Sequence, residues 1–240
     1  MIILVTGGAS GLGDTITRMI AENPESTVYF TYAHSSEQAR QIETDFPNAI
    51  ALKCDFRNRD EVDAVVAKIE QINIDVLVNN AYTGDFIKSY FHKTAANDFI
   101  EAFNVNIVPT MLITQAAITV FRKKKFGKII TVSTAALVNI PPVGSSVYVA
   151  NKAYLEQLSK VWASENAKFN ITSNTVSPAF MLTGFTNSTD ERIVEQIVSN
   201  HPLKKLLTTK EVAESICFLI NSSQHINGIN LILNAGVNIK

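Results

Sequence analysis

The chain has 240 residues, 46% of them hydrophobic and 18% charged, with a formal net charge of -1. That balance allows a sizeable buried core, excludes general disorder, and gives no electrostatic reason to bind nucleic acid or an anionic membrane. Two lone cysteines (Cys54, Cys217) and four scattered histidines form no C-x-x-C or H-x-x-x-H pair, so no metal site is expected.

Short β-rich runs alternate with amphipathic stretches. The first run, Ile2–Thr6, is followed by a glycine loop and a helical stretch over Asp14–Ala21. Thr27–Tyr32, Ala49–Lys53, Val76–Asn79, Lys128–Val132, Ile171–Val176 and Gly228–Leu233 read as further strands. Ser36–Asp45, Arg59–Ile72, Asp98–Arg122, Val147–Lys168 and Lys210–Ile220 read as helices. Within Arg59–Ile72, Val62, Val65, Val66 and Ile69 recur at helical spacing with charges between them. Most strand runs are continuously apolar rather than alternating, as parallel strands covered on both faces require. The expected fold is a single Rossmann-type doubly wound α/β domain over residues 1–240. It should hold a seven-stranded, mostly parallel sheet with helices on both faces. Pro141-Pro142 and Phe180–Asp190 read as long internal loops. No run of about 18 uninterrupted apolar residues suggests a membrane span. No basic leader followed by an apolar stretch is visible, and a cytoplasmic protein is expected.

Two motifs carry chemistry. Thr6-Gly7-Gly8-Ala9-Ser10-Gly11-Leu12-Gly13 lies between the first strand and the first helix. Glycines permit the sharp turn and the close approach of phosphate oxygens, and the helix start supplies N–H groups and a positive dipole end. The spacing is G-x-x-x-G-x-G, and a purely structural turn is the competing reading. Tyr148 and Lys152 stand at i and i+4 of a helix and share a face. A neighbouring cation favours phenolate and should lower the tyrosine pKa, suiting Tyr148 to proton transfer with a carbonyl or alcohol. Taken alone, the pair also fits a half-buried tyrosine beside a solvated lysine.

The ordered set Thr6–Gly13, Asp55, Asn79-Asn80-Ala81, Asn106, Ser133-Thr134, Tyr148-x-x-x-Lys152, and Pro178 with Thr183 resembles the short-chain dehydrogenase/reductase family along essentially the whole chain. The resemblance implies an oxidoreductase that moves a hydride between a nicotinamide and a carbonyl/alcohol pair. Asn106, Tyr148, Lys152 and a hydroxyl at Thr134 or Ser133 would be the catalytic set. Gly7, Ser10, Gly11, Leu12, Gly13, His34, Ser35, Asp55, Phe56, Asn80, Ala81, Tyr148, Lys152, Pro178 and Thr183 would contact the cofactor. Within that set Asp55 would bond the adenine, Lys152 the nicotinamide ribose, and Thr183 the carboxamide. Asn106 would hold a water that relays protons through the lysine.

This sequence departs from the pattern at two places near the chemistry. Tyr82 stands where the family's Asn-Asn-Ala motif continues with glycine, so its ring must point outward or narrow the pocket. The usual serine position is Ala135, and a one-residue insertion within Val138–Ser146 would move the role to Thr134, with Ser133 as the alternative.

The second strand ends in Tyr32-Ala33-His34-Ser35-Ser36 with no acid to repel a 2′-phosphate. NADP(H) is therefore preferred over NAD(H). Overall similarity is greatest to 3-oxoacyl-carrier-protein reductases, which implies a small carbonyl substrate and an acyl carrier protein as candidate partner. Within Arg122-Lys123-Lys124-Lys125, Lys125 matches a docking cation of that group, although a second docking arginine is replaced by Phe169 and cations also simply suit a solvated helix C-terminus. The resemblance also implies a substrate lid at about 180–200, lined by Phe180, Met181, Leu182 and Phe185, and a homotetramer or homodimer. The competing function is a catalytically weakened dinucleotide-binding regulatory or scaffold protein, for which Tyr82 and the shifted Thr134 speak.

Overall fold

Each of the seven runs read as strands forms a strand, and every strand pair is parallel. The computed structural model describes residues 1–84, 89–187 and 189–237. In chain order the elements are β1 (Ile2–Val5), α1 (Gly11–Ala21), β2 (Thr27–Tyr32), α2 (Ser36–Asp45), β3 (Ala49–Lys53), α3 (Arg59–Ile72), β4 (Val76–Asn79), α4 (Ala96–Lys124), β5 (Gly127–Val132), α5 (Ser146–Asn166), β6 (Ile171–Pro178), α6 (Glu191–Asn200), α7 (Thr209–Asn221) and β7 (Asn230–Leu233). The sheet order is β3-β2-β1-β4-β5-β6-β7. Val5 pairs with Phe30 on one side and Val78 on the other. The order therefore reverses direction between β1 and β4, where open parallel sheets form a ligand crevice.

Successive side chains of a strand point to opposite faces, and β1 shows the consequence. Ile3 and Val5 join Ile16, Ile42 and Ile216 of α1, α2 and α7 in one core layer. Leu4 joins Val65, Ile113 and Trp162 of α3, α4 and α5 in the other. Both faces are covered, which is why the strands read as continuous apolar runs.

Several boundaries differ from the expectation for identifiable reasons. α1 begins at Gly11 rather than Asp14, because the helix starts directly behind its N-cap Ser10, inside the glycine loop. α4 runs through Pro109, which lies buried inside it. By length and composition α4 is the one described helix that could cross a bilayer; half of its most apolar window is buried against the rest of the fold. β6 continues to Pro178, which pairs with Leu233. α6 forms within the region expected as a lid. It starts at Asp190, whose carboxylate accepts from the Arg192 N–H, and none of its residues is buried.

Lys128 on β5 is an unusual core residue, with 4% of its surface exposed. Its Nζ donates to the carbonyls of Ser222 and Leu219 at the C-terminal end of α7. A cation suits that end of a helix, where carbonyls lack intrahelical partners. Burial pulls the ammonium pKa below its usual value, so these carbonyls are what hold the charge in place. Lys128→Met should lower unfolding stability by about 2 kcal/mol in urea denaturation, the size of a lost charged hydrogen bond; an unchanged midpoint would show that the pairing contributes nothing.

Candidate active site

The loops after β1 and β4 leave the sheet side by side at the reversal point. Thr6 joins them: its Oγ1 accepts from the Asn80 and Ala81 N–H groups, both at 3.0 Å. The Asn80 carboxamide donates back to the Thr6 and Gly7 carbonyls at 3.0 and 3.1 Å. From β2, Thr31 Oγ1 accepts from the Gly7 N–H at 2.8 Å. Gly7 and Gly13 show why sterics require glycine in this loop. Gly7 has φ +65°, the left-handed region. A Cβ on Gly13 would lie 1.9 Å from the Gly7 carbonyl oxygen. The loop is thus folded tightly against the start of α1, where Ser10 is the N-cap but makes no side-chain cap bond. The first-turn N–H groups and the Ser10 hydroxyl remain available to an anion, which is the chemistry a pyrophosphate needs.

A cleft of about 1450 Å³ runs from this loop in both directions. That exceeds the usual 300–1,000 Å³ of small-molecule sites and suits an elongated ligand. One end is lined by Tyr32, Ala33, His34, Ser35, Cys54 and Phe56. No carboxylate stands at the end of β2. Asp55 is not part of the lining. Its carboxylate accepts from the Arg57 N–H at 2.9 Å and lies 3.6 Å from His34 Nε2, so it shapes the turn behind the wall. The middle is lined by Gly7, Ser10, Gly11, Leu12, Gly13, Asn80 and Ala81, and the far end by Ser133, Thr134, Tyr148, Lys152, Pro178 and Thr183. Thr183 sits beside Gly11, so the loop after β6 closes over the start of α1.

At the far end, Tyr148 and Lys152 share a face of α5. Lys152 is 4% exposed, its Nζ donates to the Val132 carbonyl at 2.7 Å, and it lies 5.9 Å from the centre of the Tyr148 ring. Burial pulls the ammonium down to about 8. Burial pushes the Tyr148 phenol up to about 12, opposed by a hydrogen bond from Thr134. The direction is opposite to that expected from the neighbouring lysine, because desolvation is the largest influence on the phenol. Thr134 is therefore the hydroxyl that reaches Tyr148. Ser133 Oγ instead lies 3.3 Å from Glu156 Oε2 on α5.

Asn106 is buried but outside the lining. Its Oδ1 accepts from the Thr83 N–H at 2.6 Å, and its Nδ2 donates to the Thr83 and Ala102 carbonyls. In this geometry it fixes the loop after β4 and makes no contact with Lys152.

Tyr82 points inward. Its ring centre lies 5.1 Å from that of Tyr148 and 5.6 Å from that of Phe185, edge-on to both. Of the residues expected to line the lid, Phe185 meets Tyr148 at 5.8 Å, Met181 is buried in the core, and Leu182 is exposed. Sequence reasoning did not find Thr31, a strand residue without a local signal. Nor did it find the Ile140–Val143 loop at the mouth, although the proline pair marked an irregular stretch there.

The basic run ending α4 lies away from the cleft. Lys124 is paired with Asp75, just ahead of β4, and donates to the Asn73 carbonyl. Arg122 packs over the Phe169 ring at 4.4 Å. Both contacts are at the N-terminal edge of the sheet, whereas Tyr148 is at the C-terminal edge.

Residues 7–238 match the family model described as Enoyl-(Acyl carrier protein) reductase. The chain is 30% identical over 232 residues to a 3-oxoacyl-[acyl-carrier-protein] reductase of Thermotoga maritima, covering 95% of this chain and 93% of that protein. It is 27% identical over 240 residues to carbonyl reductase family member 4 of Xenopus laevis, covering 99% and 98%. Among solved structures, a short chain dehydrogenase from Burkholderia cenocepacia in complex with NADP superposes with a TM-score of 0.84 at 26% identity, covering 99% of this chain and 97% of that one. From the all-parallel sheet, the glycine loop and these whole-length matches, the chain belongs to the short-chain dehydrogenase/reductase family of oxidoreductases.

Proposed function

We propose that this protein reduces a ketone to a secondary alcohol with NADPH, and that Tyr148 delivers the proton. The observation that carries this reading is the Thr134–Tyr148–Lys152 group at the end of a dinucleotide-sized cleft. Bound NADPH supplies the hydride that reaches the carbonyl carbon. Tyr148 Oη gives its proton to the carbonyl oxygen as that bond forms, so ketone, hydride and proton become one alcohol. A phenol pushed up to about 12 holds its proton at neutral pH, as the acid in a reduction must. Thr134 holds the phenol and orients the carbonyl oxygen. Lys152, charged below about 8, binds the ribose and favours the phenolate left after transfer. Asn106 takes part through the loop at Thr83, which it positions.

Preference for NADPH is supported by the missing acid after β2 and by His34 and Ser35 lining that end. The Burkholderia relative was solved with NADP. The substrate is a neutral carbonyl compound such as a 3-oxoacyl thioester, consistent with the reductases of acyl-carrier-protein substrates that the chain resembles. The reading rests on the thioester's ketone rather than on carrier docking, because the basic run does not flank the cleft. Exposed Ile100, Tyr154 and Val161 on α4 and α5 support assembly through these helices into a homotetramer, since unpartnered apolar faces mark interaction surfaces.

Four outcomes are expected. NADPH should bind at least tenfold more tightly than NADH in a fluorescence titration, about 1.4 kcal/mol; equal or reversed constants would reject the preference. Tyr148→Phe should lower kcat by about a hundredfold or more with cofactor affinity nearly unchanged. In the wild-type enzyme kcat/KM for NADPH should fall as pH rises through about 8, where Lys152 loses its charge. Retained turnover in the variant, or a profile flat through pH 8, would remove these residues from the mechanism. Light scattering at micromolar concentration should give a tetramer mass, and a monomer would contradict the assembly.

A further inference from the structure

Tyr82 occupies the position at which the carbonyl's surroundings are decided. It follows Asn80 and Ala81, whose backbone is fixed by Thr6, and precedes Thr83, whose backbone is held by Asn106. The ring therefore stands on a loop anchored on both sides. It touches Tyr148 and Phe185 at centroid distances of 5.1 and 5.6 Å, and its centre lies 5.2 Å from Lys152 Nζ. The Asn151 carboxamide, on a residue 5% exposed, faces the Tyr82 hydroxyl. Asn151 Nδ2 makes no hydrogen bond among the described residues. With one end held by an anchored loop and the other facing a buried amide, this aromatic ring is a fixed wall beside the proton donor.

The cleft is also lined by Ile140 and Val143, 93% and 76% exposed, together with Pro142 and Ile193. Among the described lining residues there is no aspartate, glutamate or arginine; the one lysine, Lys152, lies at the reactive end and donates to the Val132 carbonyl, and the histidines are His34 and His201. A carboxylate on the substrate would meet no arginine there and no lysine other than Lys152 among the described residues, and a charge buried without a partner is costly.

We propose that Tyr82 is the specificity-determining residue of this site. It confines the ketone to a small substituent on its own side and an uncharged, apolar arm that leaves past Ile140 and Val143. This deepens the reductase reading and rests on it for the reaction, but the size limit is a property of the wall and is measurable as binding. One methylene more or less in a hydrophobic pocket discriminates by about 10- to 200-fold.

The test compares ethyl acetoacetate, whose small side is a methyl, with ethyl benzoylacetate, whose small side is a phenyl. The wild-type enzyme should favour the first in kcat/KM by about twentyfold or more, and Tyr82→Gly should reduce that ratio by about tenfold. Tyr82→Leu should fall between them, and Tyr82→Phe, which keeps the ring, should keep the ratio. The free acetoacetate anion should be used at least tenfold less well than its ester by wild type, about 1.4 kcal/mol of unpaired charge. The same comparison is then made by calorimetry, titrating NADP-loaded protein with the two corresponding secondary alcohols. Turnover of both ketones with a ratio that Tyr82→Gly leaves unchanged overturns the assignment and leaves the reductase reading standing. Size-selective binding that Tyr82→Gly abolishes, with no turnover of either ketone, supports the assignment and overturns the reductase reading. Equal use of the anion and the ester overturns the uncharged arm, and absence of any size preference in both rate and binding overturns the proposal as a whole.

Discussion

The bonds of Thr6 and Asn80 across the tips of β1 and β4 are the constraint on which the site depends. At this point the sheet order reverses and the two loops would otherwise part. The Thr6 hydroxyl accepts two N–H groups of the β4 loop, and the Asn80 amide returns two bonds to the β1 loop. One pair of side chains therefore sets both the glycine loop at the start of α1 and the position of Ala81 and Tyr82. The cleft is a single groove, with an anion-binding middle and a reactive end, because these two loops move as one piece.

The chemistry at the reactive end is governed by burial. Lys152 and Tyr148 sit where water is scarce, so the ammonium is pulled down to about 8 and the phenol is pushed up to about 12. Both shifts favour the neutral form, as desolvation always does. Such a pair is responsive: a ligand that brings charge or polar groups into the same space acts at low effective dielectric and has a larger effect than it would in water. The aromatic ring of Tyr82 intensifies this by filling space that a glycine would leave open to solvent. The same ring thus helps keep water from the Tyr148 phenol.

Much of this was legible before any coordinates. The continuous apolar strand runs announced a sheet covered on both faces, and the glycine spacing after β1 announced a turn into an anion-binding helix start. The i, i+4 relation of Tyr148 and Lys152 placed them on one face whatever the rest of the chain did. Asp55 and Asn106 were legible by position but not by contact. Asp55 turned out to be bonded to local backbone at Arg57, as short polar side chains often are, whereas Asn106 reaches the backbone of Thr83, 23 residues away in the chain. α6 was missed because its amphipathic ten residues follow a loop rich in turn formers, and none of its side chains is buried.

The sequence by itself determined the layered parallel fold, the glycine loop and the identities of the residues gathered at the reactive end, because these follow from local spacing and hydrophobic period. Only the tertiary structure decided which hydroxyl meets Tyr148, which way Tyr82 turns, and in which direction the two reactive groups are shifted. Those outcomes depend on contacts between β4, β5, α5 and the loop after β6, segments distant in the chain. Packing density and desolvation are set by what those segments exclude when brought together, and no local pattern of residues encodes that sum.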